Sequence, residues 1–264
     1  MTKMSGNDKK DVQFCNNGSH PILASRDGSL SVKRKADNGD KIEARCDFLT
    51  SRSSTGETVL HKAVRMNNLC YAKKLLSMYS TQLVNIFNYN RETPLHISVK
   101  LLKEEMTTLL IRYNANVNAM DLKGRTPFTL CFLLGSREMF RLFLNSGKKI
   151  SFDITDFDGN PPLHLAFVND HKELVLDILQ STREFNLNDY NRKCGSTIVH
   201  LVAESNDSSF MNKLIRSNPQ ININMRNFAG YTPCEVAKGR NFSKMADLLG
   251  KYTALETVVD NDSE

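Results

Sequence analysis

Short stripes of apolar residues at helical spacing follow one another along most of this chain, and they come in pairs. Leu60 and Val64 fall on one face of a first short helix. Ala72, Leu75 and Leu76 form the stripe of a second helix directly after it. Similar pairs recur downstream, with polar, turn-forming stretches between them. The pattern therefore predicts an all-α chain built from repeated helix pairs.

Each pair of stripes begins at the same local signature, which resembles Gly-x-Thr-Pro. Threonine can cap the free backbone amides at the start of a helix, and proline in the first helical position loses nothing by lacking an N–H. The glycine is present in five of six units, and Arg91 replaces it in the remaining one. A period this regular indicates a stacked array, because one unit of this size cannot bury its own apolar face. The starts are 35, 33, 35, 36 and 35 residues apart and lie at Thr58, Thr93, Thr126, Pro161, Thr197 and Thr232.

The units resemble ankyrin repeats, whose signature begins Thr-Pro-Leu-His-x-Ala. The second unit reads Thr-Pro-Leu-His at residues 93–96, and the fourth reads Pro-Leu-His-Leu-Ala at residues 162–166. The resemblance covers residues 51–252 and implies an all-α solenoid of about six helix–turn–helix repeats with short β-hairpin turns. We expect the repeats to start near residues 56, 91, 124, 159, 195 and 230.

The two ends of the chain lack this pattern. Residues 1–50 carry Asn, Gly, Ser, Asp and Lys in quick succession, so we expect a mostly disordered arm. Residues 253–264 form a short tail that is acidic at its end. The first ten residues lack the apolar core of a secretory signal, and the densest apolar run, residues 128–134, is too short to cross a bilayer. We therefore expect a soluble protein without a membrane partner.

Charge is distributed unevenly over the repeats, although the whole chain carries only +6. Residues 51–150 contain fifteen basic and six acidic side chains, whereas residues 151–264 contain eleven basic and sixteen acidic ones. A basic half attracts anionic partners and an acidic half attracts basic ones. An uneven but merely solvated surface is the alternative interpretation.

No residue pattern points to catalysis or to a cofactor. Four of the six histidines recur once per repeat near a helix start, which separates them too widely for one metal or acid–base site: His61, His96, His164 and His200. In ankyrin repeats this histidine bonds to the backbone of the adjoining turn. A phosphate-binding loop, a His-Glu-x-x-His motif and a Gly-x-Ser-x-Gly motif are all absent. We therefore expect a non-enzymatic protein with no cofactor, no metal and no small-molecule substrate.

The six cysteines are scattered along the chain and form no close Cys-x-x-Cys pair of the kind found in zinc and redox sites. We expect reduced thiols, mostly packed as small apolar groups.

The turns between repeats are expected to project as hairpin tips, and stacked tips offer an extended surface suited to a partner protein. Aromatic residues stand at several tips, where a ring either anchors a protein contact or packs against the neighbouring hairpin. The predicted protein-binding residues are Asn88, Tyr89, Asn90, Arg91, Asp121, Leu122, Lys123, Asp156, Phe157, Asp158, Asn191, Arg192, Lys193, Arg226, Asn227 and Phe228.

Six repeats, a disordered arm and a short tail are together similar to the inhibitor-of-NF-κB family. Residues 156–166 resemble a central repeat of those inhibitors, and residues 191–197 resemble the entry to their fifth repeat. The resemblance implies a regulator that binds Rel/NF-κB dimers and modulates their DNA binding and transcription. In that family the first repeats hold the basic nuclear-localisation segment of the Rel protein, and the later, acidic end lies against its DNA-binding face.

The charge distribution agrees with only one of these two contacts. Acidic later repeats suit a basic DNA-binding face, but basic first repeats suit a basic localisation segment poorly. The mismatch favours a nuclear or atypical inhibitor, present in nucleus and cytoplasm. Direct binding to nucleic acid is not expected. The alternative function is an ankyrin-repeat substrate adaptor or scaffold unrelated to NF-κB, for example in a ubiquitin-ligase complex.

Overall fold

A computed structural model describes residues 51–182 and 185–261 of the chain. This part of the chain contains twelve α-helices, arranged as six consecutive pairs, and no β-strand. The predicted disordered arm, residues 1–50, lies outside the described residues. The helices are α1 (Val59–Arg65), α2 (Leu69–Leu83), α3 (Pro94–Lys100), α4 (Glu104–Arg112), α5 (Pro127–Leu134), α6 (Arg137–Leu144), α7 (Pro162–Val168), α8 (Lys172–Ser181), α9 (Ile198–Ser205), α10 (Ser208–Ser217), α11 (Pro233–Gly239) and α12 (Ser243–Asn261).

The first helix of most pairs starts at the threonine that the sequence pattern indicates. Thr93, Thr126 and Thr232 each accept a hydrogen bond from the backbone N–H three residues further on. Each is followed by a proline in the first helical turn. The cap satisfies one amide that the helix itself leaves unpaired, so the start of each repeat is defined locally.

The helix pairs stack into two layers. The first helices, α1, α3, α5, α7, α9 and α11, pack on one another in chain order. The second helices lie behind them, and each packs on its own first helix. Side chains between the two layers make one continuous apolar core that runs from Leu60 to Leu249. This architecture confirms the predicted all-α solenoid of six repeats.

Histidine side chains connect successive repeats. In the second repeat, the backbone N–H of Thr93 donates to His96 Nδ1 at 3.1 Å, so the ring proton is on Nε2. His96 Nε2 then donates to the carbonyl oxygen of Arg125 in the next repeat, at 3.1 Å. His61 and His200 make the same bridge, to Glu92 and Tyr231 respectively. The predicted structural role of these histidines is confirmed.

The third and fourth repeats depart from this arrangement. Thr129 replaces histidine in the third repeat and bonds only within its own helix start. In the fourth repeat His164 donates to the carbonyl of Ser196 at 2.8 Å, but its Nδ1 has no partner within the described residues. The reason is Pro161, which replaces the capping threonine and has neither an N–H nor a hydroxyl to offer.

Phenylalanine rings join these two central repeats. Phe128 is fully buried, and its ring centroid lies 5.3–6.4 Å from the centroids of five other rings. Two of the six rings come from loops, one after α6 and one after α8. We call this set the phenylalanine cluster; it consists of Phe128, Phe132, Phe140, Phe143, Phe152 and Phe185.

The prediction for the cysteines is only partly right. Cys70, Cys131, Cys194 and Cys234 are free thiols. Cys131 is buried and Cys234 is half-buried, but Cys70 and Cys194 are exposed. Cys70 lies on the outer side of α2 and Cys194 lies in a hairpin tip, so neither faces the core.

Candidate protein interface

Each of the five described turns that precede repeats two to six is built around one Asn or Asp side chain. In the third repeat, Asp121 Oδ1 accepts hydrogen bonds from the backbone N–H groups of Lys123 and Arg125, at 2.8 and 2.9 Å. These bonds fold the chain back on itself within five residues. We call these five turns the hairpin tips; their central side chains are Asn88, Asp121, Asp156, Asn191 and Asn227.

Three of the side chains predicted to contact a partner are not accessible. Asn88, Asp121 and Asp156 are buried. Their oxygen atoms face inward because they accept the backbone hydrogen bonds of their own tips. Burial therefore removes these three side chains from the predicted contact surface. The other thirteen predicted residues are exposed, except for Asn191 and Asn227, which are half-buried.

Backbone hydrogen bonds link each hairpin tip to the tip before it. The N–H of Phe157 donates to the carbonyl of Lys123 at 2.9 Å, and the N–H of Phe228 donates to the carbonyl of Cys194 at 2.9 Å. Tyr89, Leu122 and Arg192 occupy the same position in the remaining tips and donate to Thr55, Asn90 and Gly159 respectively. The tips therefore form a hydrogen-bonded row along one edge of the array.

Large apolar side chains stand on this row and face solvent. Tyr89, Leu122, Phe157 and Phe228 are 63%, 54%, 65% and 65% exposed. Clusters of exposed apolar side chains on a soluble protein commonly mark contact sites.

The aromatic rings also pack against the preceding tip. A Cβ atom on Gly124, whose φ is +74°, would lie only 2.6 Å from a ring carbon of Phe157. Gly56 and Gly195 stand in the same relation to the rings of Tyr89 and Phe228. Glycine is thus required for two reasons: it tolerates the positive φ, and it has no Cβ atom that would collide with the ring. The alternative that the tip aromatics pack against the neighbouring hairpin is therefore confirmed for one side of each ring, and the rest of each ring is exposed.

Charge on the tips is mostly basic, including in the half of the chain that is acidic overall. The exposed carboxylate of Asp158 lies 3.0 Å from Lys193 Nζ of the next tip. Arg226 pairs with Glu235 at 3.1 Å. Arg192 places its guanidinium 4.9 Å from the ring centroid of Tyr190. The acidic side chains of the later repeats are concentrated instead near the turns between first and second helices, at Asp170, Glu173, Glu204 and Asp207.

This separation of charge was not predicted, because residue counts over a hundred positions add the hairpin tips to the turns between first and second helices. Comparing only the residues two to four positions before each repeat start would have separated the tips from the rest of the chain. Such a comparison collects Arg91, Lys123, Asp158, Lys193 and their neighbours into one surface.

The repeated histidines offer no accessible chemistry. Burial lowers the pKa of His96 and of His164 to about 4, so both rings are neutral near pH 7. Among the described residues, no group of three or more His, Cys, Asp or Glu side chains is arranged to hold a metal ion. No helix within residues 51–182 and 185–261 is both long enough and apolar enough to span a bilayer.

Comparison with known proteins agrees with this architecture. The family model for ankyrin repeats (three copies) matches residues 22–121 and 102–189. B-cell lymphoma 3 protein homolog of Mus musculus is 29% identical over 204 residues, which is 75% of this chain and 44% of that protein. Nuclear factor NF-kappa-B p105 subunit of Gallus gallus is 25% identical over 215 residues, which is 80% of this chain and 22% of that protein. The chain therefore spans less than half the length of these relatives.

A solved structure with similar architecture is the ankyrin repeat domain of Bcl-3, described as a unique member of the IkappaB protein family. It is 25% identical, with a TM-score of 0.68, and the match covers 75% of this chain and 86% of that domain.

Proposed function

Because this chain belongs to the ankyrin-repeat family, we propose that the hairpin tips bind another protein, and that the partner is a Rel/NF-κB dimer. The chain would thereby modulate the DNA binding of that dimer and its control of transcription, in the nucleus and the cytoplasm. In this proposal the array acts by binding alone and catalyses no reaction.

The observation that carries the proposal is that exposed apolar side chains stand along the row of hydrogen-bonded hairpin tips. Tyr89, Leu122, Phe157 and Phe228 are each more than half exposed, yet their backbone positions are held by tip-to-tip hydrogen bonds. Aromatic side chains on ordered backbone are favoured as anchors of protein contacts, because little conformational entropy is lost on binding.

The choice of a Rel dimer rests on similarity. Relatives of this chain include proteins named for B-cell lymphoma 3 and for the NF-kappa-B p105 subunit. The similar solved domain is described as a member of the IkappaB family. Ankyrin arrays serve many partners, so the similarity identifies the first partner to test.

The distribution of charge changes how the later repeats would act. The tips of repeats five and six carry Arg192, Lys193 and Arg226, which a basic DNA-binding face would repel. The acidic side chains lie at the opposite edge, where four carboxylates pair with only three cations: Asp170 and Asp207 with Lys172, Glu173 with Lys213, and Glu204 with Arg240. We propose that the tips contact the dimer outside its DNA-binding face, and that any competition with DNA uses the acidic edge.

The test is a binding titration of the purified chain against Rel-homology dimers. Combining Phe157→Ala with Phe228→Ala should weaken binding by about tenfold or more, as expected when contact anchors are truncated. The matched control is Met78→Ala, because Met78 is also exposed, at 56%, but lies on α2 away from the tips. Equal losses for both variants would contradict a tip interface. If no Rel protein binds at micromolar concentration, the substrate-adaptor alternative replaces this proposal.

A further inference from the structure

We propose that the hairpin tips recognise an extended, acidic segment of the partner that carries apolar side chains between its carboxylates. This inference deepens the proposed function and rests on the tips being the binding surface. It concerns the chemistry of the partner, which the similarity to other proteins does not determine.

The hairpin tips leave little negative charge exposed to a partner. Asp121 and Asp156 are buried within their own turns. The exposed carboxylate of Asp158 is paired with Lys193 at 3.0 Å. Glu235, which follows the last tip, bonds to Arg226 at 3.1 Å. Every carboxylate within the five turns is therefore either buried or paired with a cation, and Asp189, just before the fifth turn, interacts electrostatically with Arg192.

Three cations on the hairpin tips remain outside the ion pairs of the described residues. Arg91, Lys123 and Arg192 are exposed, and none makes an ion pair with any described residue. Arg91 and Arg192 lie over the rings of Phe87 and Tyr190, at 5.3 and 4.9 Å from the ring centroids. Stacking on a ring restricts a guanidinium and leaves its N–H groups available to donate hydrogen bonds to a carboxylate of the partner.

These three cations lie among the exposed apolar side chains along the row of tips. Arg91 is two residues from Tyr89, and Lys123 is adjacent to Leu122. In its tip, Arg192 is the residue whose backbone N–H donates to the preceding tip, and Phe157 and Phe228 hold this position in the tips before and after it. A ligand that follows the row therefore meets apolar and cationic groups in turn. An extended peptide with acidic and apolar side chains is complementary to this order.

Single-stranded nucleic acid is the competing anionic ligand, since it too binds where aromatic and basic side chains alternate. Two observations favour a peptide. Leu122 provides no ring on which a base can stack. The rings of Phe157 and Phe228 are already packed against Gly124 and Gly195, which leaves less of each ring face for stacking.

The experiment compares three fluorescent probes of equal length with the full chain: a peptide of repeated Glu-Leu-Pro units, its Lys-Leu-Pro counterpart, and oligothymidylate. The acidic peptide should bind at least tenfold more tightly than the basic one at low salt, and its advantage should shrink as salt rises. Tighter binding of the basic peptide, or of the oligonucleotide, would overturn the proposal.

The decisive variant combines Arg91→Asp, Lys123→Glu and Arg192→Glu, and Rel-dimer binding is measured beside the acidic peptide. Aspartate is chosen at residue 91 because its φ of +54° is better tolerated by Asp than by Glu. The matched control, Lys62→Glu with Lys73→Glu and Lys74→Glu, changes net charge equally at exposed sites away from the tips. The tip variant should lose about tenfold or more in affinity for both ligands, and the control less than about threefold.

A second variant, which removes the three charges without reversing them, controls for misfolding of the charge-reversed chain. Arg91→Asn with Lys123→Gln and Arg192→Gln removes the three charges and should give an intermediate loss. Equal affinity of the native chain and both tip variants for the acidic peptide would overturn the inference. If the native chain binds the acidic peptide in a tip-dependent way but binds no Rel dimer, the inference stands and the Rel proposal fails.

Discussion

Two regions of the array hold successive repeats together by different means. In repeats one, two and five, a histidine accepts from its own helix cap and donates to the backbone of the next hairpin tip. In the middle of the array this bridge is absent or incomplete, and the phenylalanine cluster joins repeats three and four. The same fold therefore tolerates a polar link or an aromatic one between neighbouring units.

The difference has a consequence for the candidate interface. The tips that lead repeats two, three, five and six each receive a histidine hydrogen bond from the preceding repeat. The tip that carries Phe157 receives none, because Thr129 replaces the histidine that would have reached it. This tip is held instead by Asp156, by a backbone bond to Lys123, and by the following tip, from which Arg192 N–H donates to Gly159 and Lys193 pairs with Asp158.

The largest expected effect is the response of the buried histidines to acid. The pKa values of His96 and His164 are about 4 in the folded chain, below the ordinary 6.5, because burial disfavours the charged ring. The unfolded chain thus binds protons first as pH falls. The contribution of each neutral ring to the free energy of unfolding is therefore fully present above pH 6.5. It is lost as pH falls towards 4, which lowers the free energy of unfolding by up to about 3 kcal/mol for each ring.

Urea unfolding at pH 7, 6 and 5 checks this prediction. His96→Gln should flatten the pH dependence, because one depressed pKa is removed. A free energy of unfolding that stays constant from pH 7 to pH 5 would contradict the buried, neutral histidines.

The phenylalanine cluster should be the most sensitive site for a single truncation. Phe128→Ala removes the ring that contacts all five others and should cost about 3–5 kcal/mol. Phe157→Ala is the matched control, since its ring is 65% exposed, and should cost well under about 1 kcal/mol. Thermal or denaturant unfolding measures both. Similar losses for the two would mean that the cluster does not hold the central repeats together.

A smaller change should complete the incomplete bridge of the fourth repeat. Pro161→Thr restores an N–H and a hydroxyl beside the unpartnered Nδ1 of His164. Pro161→Val has a similar shape and restores the N–H without the hydroxyl, so it corrects for the loss of proline rigidity. The threonine variant should be more stable than the valine variant by about 0.5–1.5 kcal/mol. A valine variant of equal or greater stability would show that the hydroxyl contributes nothing.

Most of the fold could be predicted from the sequence because repetition multiplies a weak local signal. One Thr-Pro pair indicates little, but six starts with nearly constant spacing specify helix pairs and their boundaries. The structural histidines followed from the same spacing. The last helix, α12, continues through Asn261, past the limit at residue 252 that the motif indicates. The motif carries no information beyond its own final leucine pair.

The candidate interface was predicted by position but not by side-chain direction. Whether a tip Asp faces solvent depends on which backbone amides it bonds, and Asp156 and Asp158 differ in this although they are two residues apart. The phenylalanine cluster was missed because Phe152 and Phe185 come from loops, where periodicity says nothing about contacts. The excess of basic side chains on the hairpin tips was missed because charges were counted over long stretches of sequence, which combine the tips with the rest of each repeat.

The central claim is that the hairpin tips are the binding surface, and hydrogen exchange of the chain with and without a Rel-homology dimer tests it most directly. The account predicts slower exchange at the tips of repeats two to six, including the tip that carries Phe157, which receives no histidine bond in the free chain. The second helices α2, α4, α6 and α8 should exchange at unchanged rates and serve as internal controls. Slower exchange confined to the second helices, with unchanged tips in a chain that binds the dimer, would contradict the account.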